Sequence, residues 1–225
     1  MRTADAEGRA YSEILHAIVT QKYAPGEHLA EAKIAEDLHM SRTPVRNALK
    51  KMISSGMLEY SRNIGCRIPM LTPDDMESVF LTRAFLESKA AELAANHVTE
   101  DDIERLFALL EKEKDLYAKR ETAKYTEVNE ALHLGIAGLA KNLYLKRFIS
   151  QTFWRSSLYI FFFDRFYAKG TSLHERTAED PIKSRSCLEH DCLVKAIVSQ
   201  DPQAAASAMR NHIDSTYTNL VKRNG

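Results

Sequence analysis

Ser41-Arg42-Thr43-Pro44-Val45-Arg46-Asn47-Ala48-Leu49-Lys50-Lys51 is the stretch whose reading decides the fold of this chain. Ser41 is a favoured N-cap type, and Pro44 falls in the first turn, where a missing N–H is tolerated. Val45, Ala48, Leu49, Met52 and Ile53 recur at helical spacing and form a core-facing stripe. Thr43, Arg46, Asn47 and Lys50 fall on the opposite face, with Arg42 at the exposed N-terminal end. An ordinary amphipathic surface helix would read the same way. A helix that enters the major groove of DNA also needs one packing face and one face of guanidinium and ammonium donors.

The flanks separate the two readings. Between Ser41 and Arg67 stand six Lys or Arg (42, 46, 50, 51, 62 and 67) and one acid, Glu59, a local charge of +5 in a chain whose overall formal charge is zero. A patch of that sign is what phosphate binding requires. Upstream, Tyr11, Ile14, Leu15, Ile18 and Val19 share one face of a first helix over 8–22. Tyr23-Ala-Pro-Gly26 breaks it, and Leu29, Ile34, Ala35 and Leu38 mark a second, from about Glu31 to His39. Downstream, Gly56 ends the third helix, and 57–60 and 66–69 read as two short strands joined by a turn at 61–65. Three helices and a β-hairpin make a winged helix-turn-helix over 1–70, with Arg62, Asn63 and Gly65 at the wing tip.

Leu71-Thr-Pro-Asp-Asp75 marks a boundary: Thr72 is placed to cap a new helix with Pro73 at its first position. From there to 225 the periodicity is helical, with spans expected at 73–97, 100–119, 122–140, 142–168, 182–199 and 202–222, and a loop at 169–181. The fold class is therefore mostly α, a winged helix-turn-helix followed by an all-α helical bundle. No CxxC pair occurs among the three cysteines, which fits a reducing compartment. The N-terminal residues carry no basic-then-apolar signal pattern, and no apolar run approaches a membrane span. The expectation is a cytoplasmic protein without membrane contact. Leu158-Tyr-Ile-Phe-Phe-Phe163 is expected to be buried, and with Trp154 and Arg155 it either packs a core or shapes a ligand pocket.

The polar residues that interrupt the apolar stripes of the second half carry its chemistry. Arg83 and Glu87 sit in the inner face set by Met76, Val79, Phe80, Ala90 and Ala94, one helical turn apart. They make either a core ion pair or an arginine that receives a ligand carboxylate. Asn129 and His133, also one turn apart, flank the stripe of Tyr125, Val128, Leu132, Ile136 and Leu139. His190 lies between Val194 and Ile197 on its helix face, and His212 among Ala205, Met209 and Thr216. One inward histidine is usually a satisfied core residue. Three on separate inward faces, beside an amide oxygen, make a set that suits zinc, nickel or manganese. His174, in the loop, is a further candidate ligand.

Two resemblances follow from these residues. Tyr23-Ala-Pro-Gly-Glu-His-Leu-Ala-Glu31, Ile34-Ala-Glu-Asp-Leu38, Ser41-Arg-Thr-Pro-Val-Arg46 and Gly56…Gly65 resemble, in order, the N-terminal domain of the GntR family of bacterial regulators. Leu81-Thr-Arg-Ala-Phe-Leu-Glu87, Asn129-Glu-Ala-Leu-His133 with Asn142, Glu189-His190…Asp201 and Ala205…His212 look like the ligand-binding FCD domain of the FadR subfamily, in its VanR-like six-helix form. The resemblance implies a DNA-binding transcription regulator, most often a repressor, acting as a homodimer on a palindromic operator in double-stranded DNA. By it, Ser41, Arg42, Thr43, Arg46 and Lys50 on the recognition helix, and Arg62, Asn63 and Gly65 on the wing, are the DNA contacts. It makes Asn129, His133, His190 and His212 the metal ligands, and Arg83 with Glu87 the site of a small organic-acid effector. Asn129 stands where the family carries aspartate, and the lost charge weakens that ligand. Ala32 stands where some relatives carry a basic residue. The alternatives are a metal-free sensor whose histidines bond the effector, and a helical metal-dependent hydrolase. The second lacks an obvious general base, because Glu130 and Glu189 are expected to point away from the histidines.

Overall fold

The computed structural model describes residues 2–164, 167 and 184–224. In chain order these form α1 (Arg2–Val19), α2 (Glu31–Asp37), α3 (Arg42–Ser54), β1 (Glu59–Ser61), β2 (Gly65–Arg67), α4 (Pro73–Ala95), α5 (Glu100–Lys119), α6 (Thr122–Leu139), α7 (Leu143–Phe163), α8 (Arg185–Val198) and α9 (Pro202–Asn224). The expected loop at 169–181, with His174, lies outside the described residues.

The described residues group into two compact units, one drawn from Met1–Met76 with Trp154–Lys169, the other from Glu77–Phe153 with Gly170–Gly225. In the first, Ile14, Leu15 and Ile18 of α1, Ile34 of α2 and Val45, Leu49 and Met52 of α3 are buried together with Met57, Leu58 and Ile68. Each such side chain contributes about 1.5–3 kcal/mol on leaving water. Ser41 occupies the N-cap of α3, but its side chain makes no capping hydrogen bond. The hairpin is shorter than the 57–60 and 66–69 expected, because Met57 and Leu58 go into the core just past α3 instead of pairing. A third extended segment joins it: Leu29 N–H donates to the Cys66 carbonyl at 2.8 Å, and Ile68 N–H to Glu27 at 3.0 Å. Gly65 has φ +84, and a Cβ there would come within 2.7 Å of the His28 ring, so only glycine closes this turn.

The second half of α7 belongs to this first unit. Trp154, Leu158, Tyr159 and Phe161 are buried in it. Arg155 binds Asp75 at 2.8 Å and the Met70 carbonyl at 3.2 Å. The Tyr159 hydroxyl lies 2.5 Å from Asp75 Oδ2. These aromatics pack a core and hold the chain at 70–75.

The second unit is helical throughout its described residues. Thr99 with Asp102 forms a capping box on α5, as Thr72, still in the first unit, accepts from Asp75 N–H at the start of α4. Asn142 Oδ1 accepts from the N–H groups of Tyr144 and Leu145 at 3.1 Å and so starts α7. Ala90, Ala137, Ala140 and Ile149, flanked by Leu86, Leu93, Leu134 and Leu145, join α4, α6 and the start of α7.

Candidate metal centre and nucleic-acid interface

Each of α4 to α9 sends a side chain to one buried point. His133 (α6), His190 (α8) and His212 (α9) each have a ligand atom within 4.8 Å of the others, and all three are buried. The Nε2 of His190 lies 3.2 Å from that of His133 and 3.2 Å from that of His212. On the far side of each ring, Nδ1 meets a glutamate. His133 pairs with Glu87 of α4. His190 pairs with Glu113 of α5 at 2.8 Å, and His212 with Glu189 of α8 at 2.9 Å. Phe153 of α7 lies against the His133 ring, with centroids 5.4 Å apart.

Glu87 also accepts from Arg83 Nε, and the Arg83 guanidinium stacks on Phe153 at 4.9 Å while Nη2 lies 3.2 Å from His133 Nδ1. Arg83 and Glu87 are both almost fully buried, and they form the i,i+4 core ion pair that was one of the two expectations. Burial works to raise the Glu87 carboxyl, but Arg83 and His133 outweigh it and hold the group at about 2. Burial drives the His133 imidazole down to about 4 against the pull of Glu87, and drives His212 well below its ordinary range. Burial pushes Glu189 up, with Ser215 opposing by a hydrogen bond at 2.6 Å.

These observations fit a divalent metal. A glutamate on each Nδ1 favours the tautomer with its proton there and turns the three Nε2 atoms toward one another, although Arg83 Nη2 also lies 3.4 Å from the Nε2 of His133. Imidazoles around a tetrahedral ion at about 2.0–2.1 Å bring neighbouring nitrogens to about 3.3 Å, close to the 3.2 Å found. A carboxylate on the second nitrogen is the usual support of a ligating histidine. Asn129, the fourth expected ligand, is half-buried on α6 one turn before His133.

Sequence reasoning missed two of the three supporting acids. Glu189 was expected to point away, yet its i+1 neighbour His190 faces inward while Glu189 reaches across to α9 and His212. Glu113 occupies a core position between Leu110 and Leu116 of α5. Its presence in that apolar stripe was the available signal.

On the first unit, Ser41, Arg42, Thr43, Arg46 and Lys50 are exposed, as are Arg62 and Asn63; Gly65 is half-buried. The α3 side chains stand opposite the buried Val45, Ala48, Leu49 and Met52. Arg46 is bound by Glu31 of α2 through two hydrogen bonds, at 2.9 and 2.8 Å.

Comparison with known proteins agrees with both halves. Residues 6–68 match the family described as bacterial regulatory proteins, gntR family, and residues 78–215 match the FCD domain. The chain belongs to the GntR family of regulators with an FCD domain. It is 31% identical over 124 residues to the Nta operon transcriptional regulator of Aminobacter aminovorans, an alignment that covers 55% of this chain and spans 59% of that protein. It is 26% identical to the Uxu operon transcriptional regulator of Escherichia coli K12 over 242 residues, covering 99% of this chain and 91% of that one. In fold it is similar to the E. coli McbR/YncC structure, with a TM-score of 0.75 at 22% identity, over 98% of this chain and 99% of that one. The matches, which are consistent with the FadR-type subfamily, are to transcription regulators and not to enzymes. Among the described residues, no helix is long and apolar enough to cross a membrane.

Proposed function

We propose that this GntR-family regulator is a homodimeric repressor whose operator affinity is set by a small organic acid bound beside a divalent metal in the helical domain. The convergence of the three Nε2 atoms, each ring backed by a glutamate, is the observation that carries this reading. Charge supports it: Glu87, Glu113 and Glu189 bring three carboxylates around the rings, against Arg83 on Glu87 and Arg185 on Glu189 at 3.4 Å, and a cation among the three histidines offsets the negative charge that remains. His133, His190 and His212 would hold the ion, with the Asn129 carbonyl as fourth ligand. An ion so held takes a carboxylate by expanding beyond four ligands. Arg83 supplies a guanidinium near the same point.

In the first unit, Arg42, Thr43, Arg46 and Lys50 read the major groove from α3, with Ser41 at the helix start, and Arg62, Asn63 and Gly65 approach from the wing. Two copies are needed to meet two half-sites. Leu81 and Phe85 of α4 and Leu143, Tyr144 and Phe148 of α7 are exposed in the single chain, Leu143 to 82%. They lie on the same two helices as Leu86, Ala90, Leu145 and Ile149 of the shared cluster, and a second copy is the occupant that removes this apolar surface from water.

The test uses a duplex enriched by the protein itself from a randomised pool. Its affinity is measured by fluorescence anisotropy on chelator-stripped and zinc-loaded protein, with a panel of small hydroxy and dicarboxylic acids. At least one acid is expected to weaken binding in the loaded protein only. Acids that act equally on both forms would remove the metal from the account.

A further inference from the structure

Glu31 is the first residue of α2, and Arg46 lies in the second turn of α3. Their side chains meet side-on: Arg46 Nε donates to Oε2 at 2.9 Å and Nη2 to Oε1 at 2.8 Å. Arg42 and Lys50 are near enough to act on the same carboxylate. An acid therefore stands among the three cations of the face expected to meet DNA, where it works against phosphate attraction. Stability does not explain it, because Arg46 is 54% exposed and Glu31 28%, and exposed ion pairs contribute about 0–1 kcal/mol.

The hydrogen-bond inventory of the guanidinium supplies a reason. Arginine has five N–H donors in a planar fork. The side-on contact uses Nε–H and one Nη2–H, and leaves the other Nη2–H and both Nη1–H groups. Those remaining donors form the end-on edge, the one that bonds guanine O6 and N7 together. A free arginine loses about 2 kcal/mol of rotamer entropy on being fixed, and a side chain already held by Glu31 has lost part of it before DNA arrives.

We propose that Glu31 is a positioning residue that holds Arg46 so that its end-on edge reads a guanine in each half-site. This rests on α3 being the recognition helix. Glu31 thereby trades phosphate attraction for base discrimination.

The experiment uses the full chain and the duplex it enriches from a randomised pool. Dissociation constants are measured for that duplex, for versions with each G·C pair replaced, and for an unrelated duplex. Arg46→Ala identifies the guanine. Glu31→Gln is expected to lose at least about tenfold of the preference for that same guanine, with affinity for the unrelated duplex equal or tighter. Glu31→Gln combined with Arg46→Ala should be no less selective there than Arg46→Ala alone. Glu31→Asp keeps the charge, shortens the reach by one methylene, and is expected to lose the preference in part; it serves if Glu31→Gln does not fold. Full retention of the preference in either folded variant overturns the role of Glu31 and leaves the recognition helix standing. If Arg46→Ala changes discrimination at no base pair, the recognition-helix reading fails and the role of Glu31 with it.

Discussion

The Nε2 atoms of His190 and His212 lie 3.2 Å apart, while the opposite nitrogen of each ring is engaged by a glutamate, Glu113 for one and Glu189 for the other. Two rings whose protons are drawn outward present lone pairs to each other, an arrangement that a cation between them stabilises.

The supporting acids should therefore tune the metal without being ligands. Glu113→Gln retains a hydrogen-bond acceptor for His190 but loses the charge, and is expected to weaken zinc binding about 10–100-fold. His190→Ala should abolish tight binding. Competition against a chromogenic chelator measures both. Equal affinity in Glu113→Gln and the parent would show that the glutamate does not act through His190.

Acid should destabilise the chelator-stripped protein. The folded-state pKa of His133, about 4, lies below its ordinary 6.5, so the unfolded chain binds more protons between those values. Stability from this group is present above about pH 6.5 and is lost as the pH falls toward 4, by as much as about 3 kcal/mol. Glu87, at about 2 against an ordinary 4.5, adds a loss of the same sign below pH 4.5. Urea unfolding at stepped pH reads this directly, and a midpoint that rises on acidification from pH 6.5 to 4 contradicts it.

Glu87 joins Arg83 to His133, both buried. Glu87→Ala leaves a buried guanidinium without this partner and should cost about 3–5 kcal/mol in unfolding free energy. Arg83→Met with Glu87→Met removes both charges and should cost less than Glu87→Ala. A double variant less stable than the single one would mean that the pair contributes net stability.

The apolar face of α4 and α7 predicts the assembly. Phe85→Glu with Tyr144→Glu places charge on two residues exposed to 67% and 74% in the single chain. Sedimentation velocity at micromolar concentration should show a dimer for the parent and a monomer for the variant, with helicity unchanged. A dimeric variant moves the interface elsewhere.

Much of this was legible in the sequence because the deciding signals are local. Thr99 and Asp102 cap α5 where the residue pattern placed its start, and the stripe of Val45, Ala48, Leu49 and Met52 gave the burial of α3. The three histidines showed themselves by interrupting apolar stripes. Which carboxylate meets which ring was not legible, because Glu113 and His190 are 77 residues apart and only the packing of α5 on α8 unites them. Glu189 was misjudged for a related reason. A half-buried side chain at the edge of a stripe can reach a neighbouring helix, and helical periodicity ignores the neighbour. The 27–29 segment was missed because its bonding to 66–68 is a tertiary pairing with no alternation of its own. Composition left Arg155 and Tyr159 open between core packing and a ligand pocket, and their partners Asp75, Thr72 and Met70 decide for the first.

Isothermal titration of zinc into the chelator-stripped full chain, beside the His133→Ala, His190→Ala and His212→Ala variants, tests the central claim most directly. One ion per chain, bound tightly by the parent and not by any of the three variants, is the predicted result. A parent chain that takes up no zinc, or variants that bind it as tightly as the parent, would contradict it.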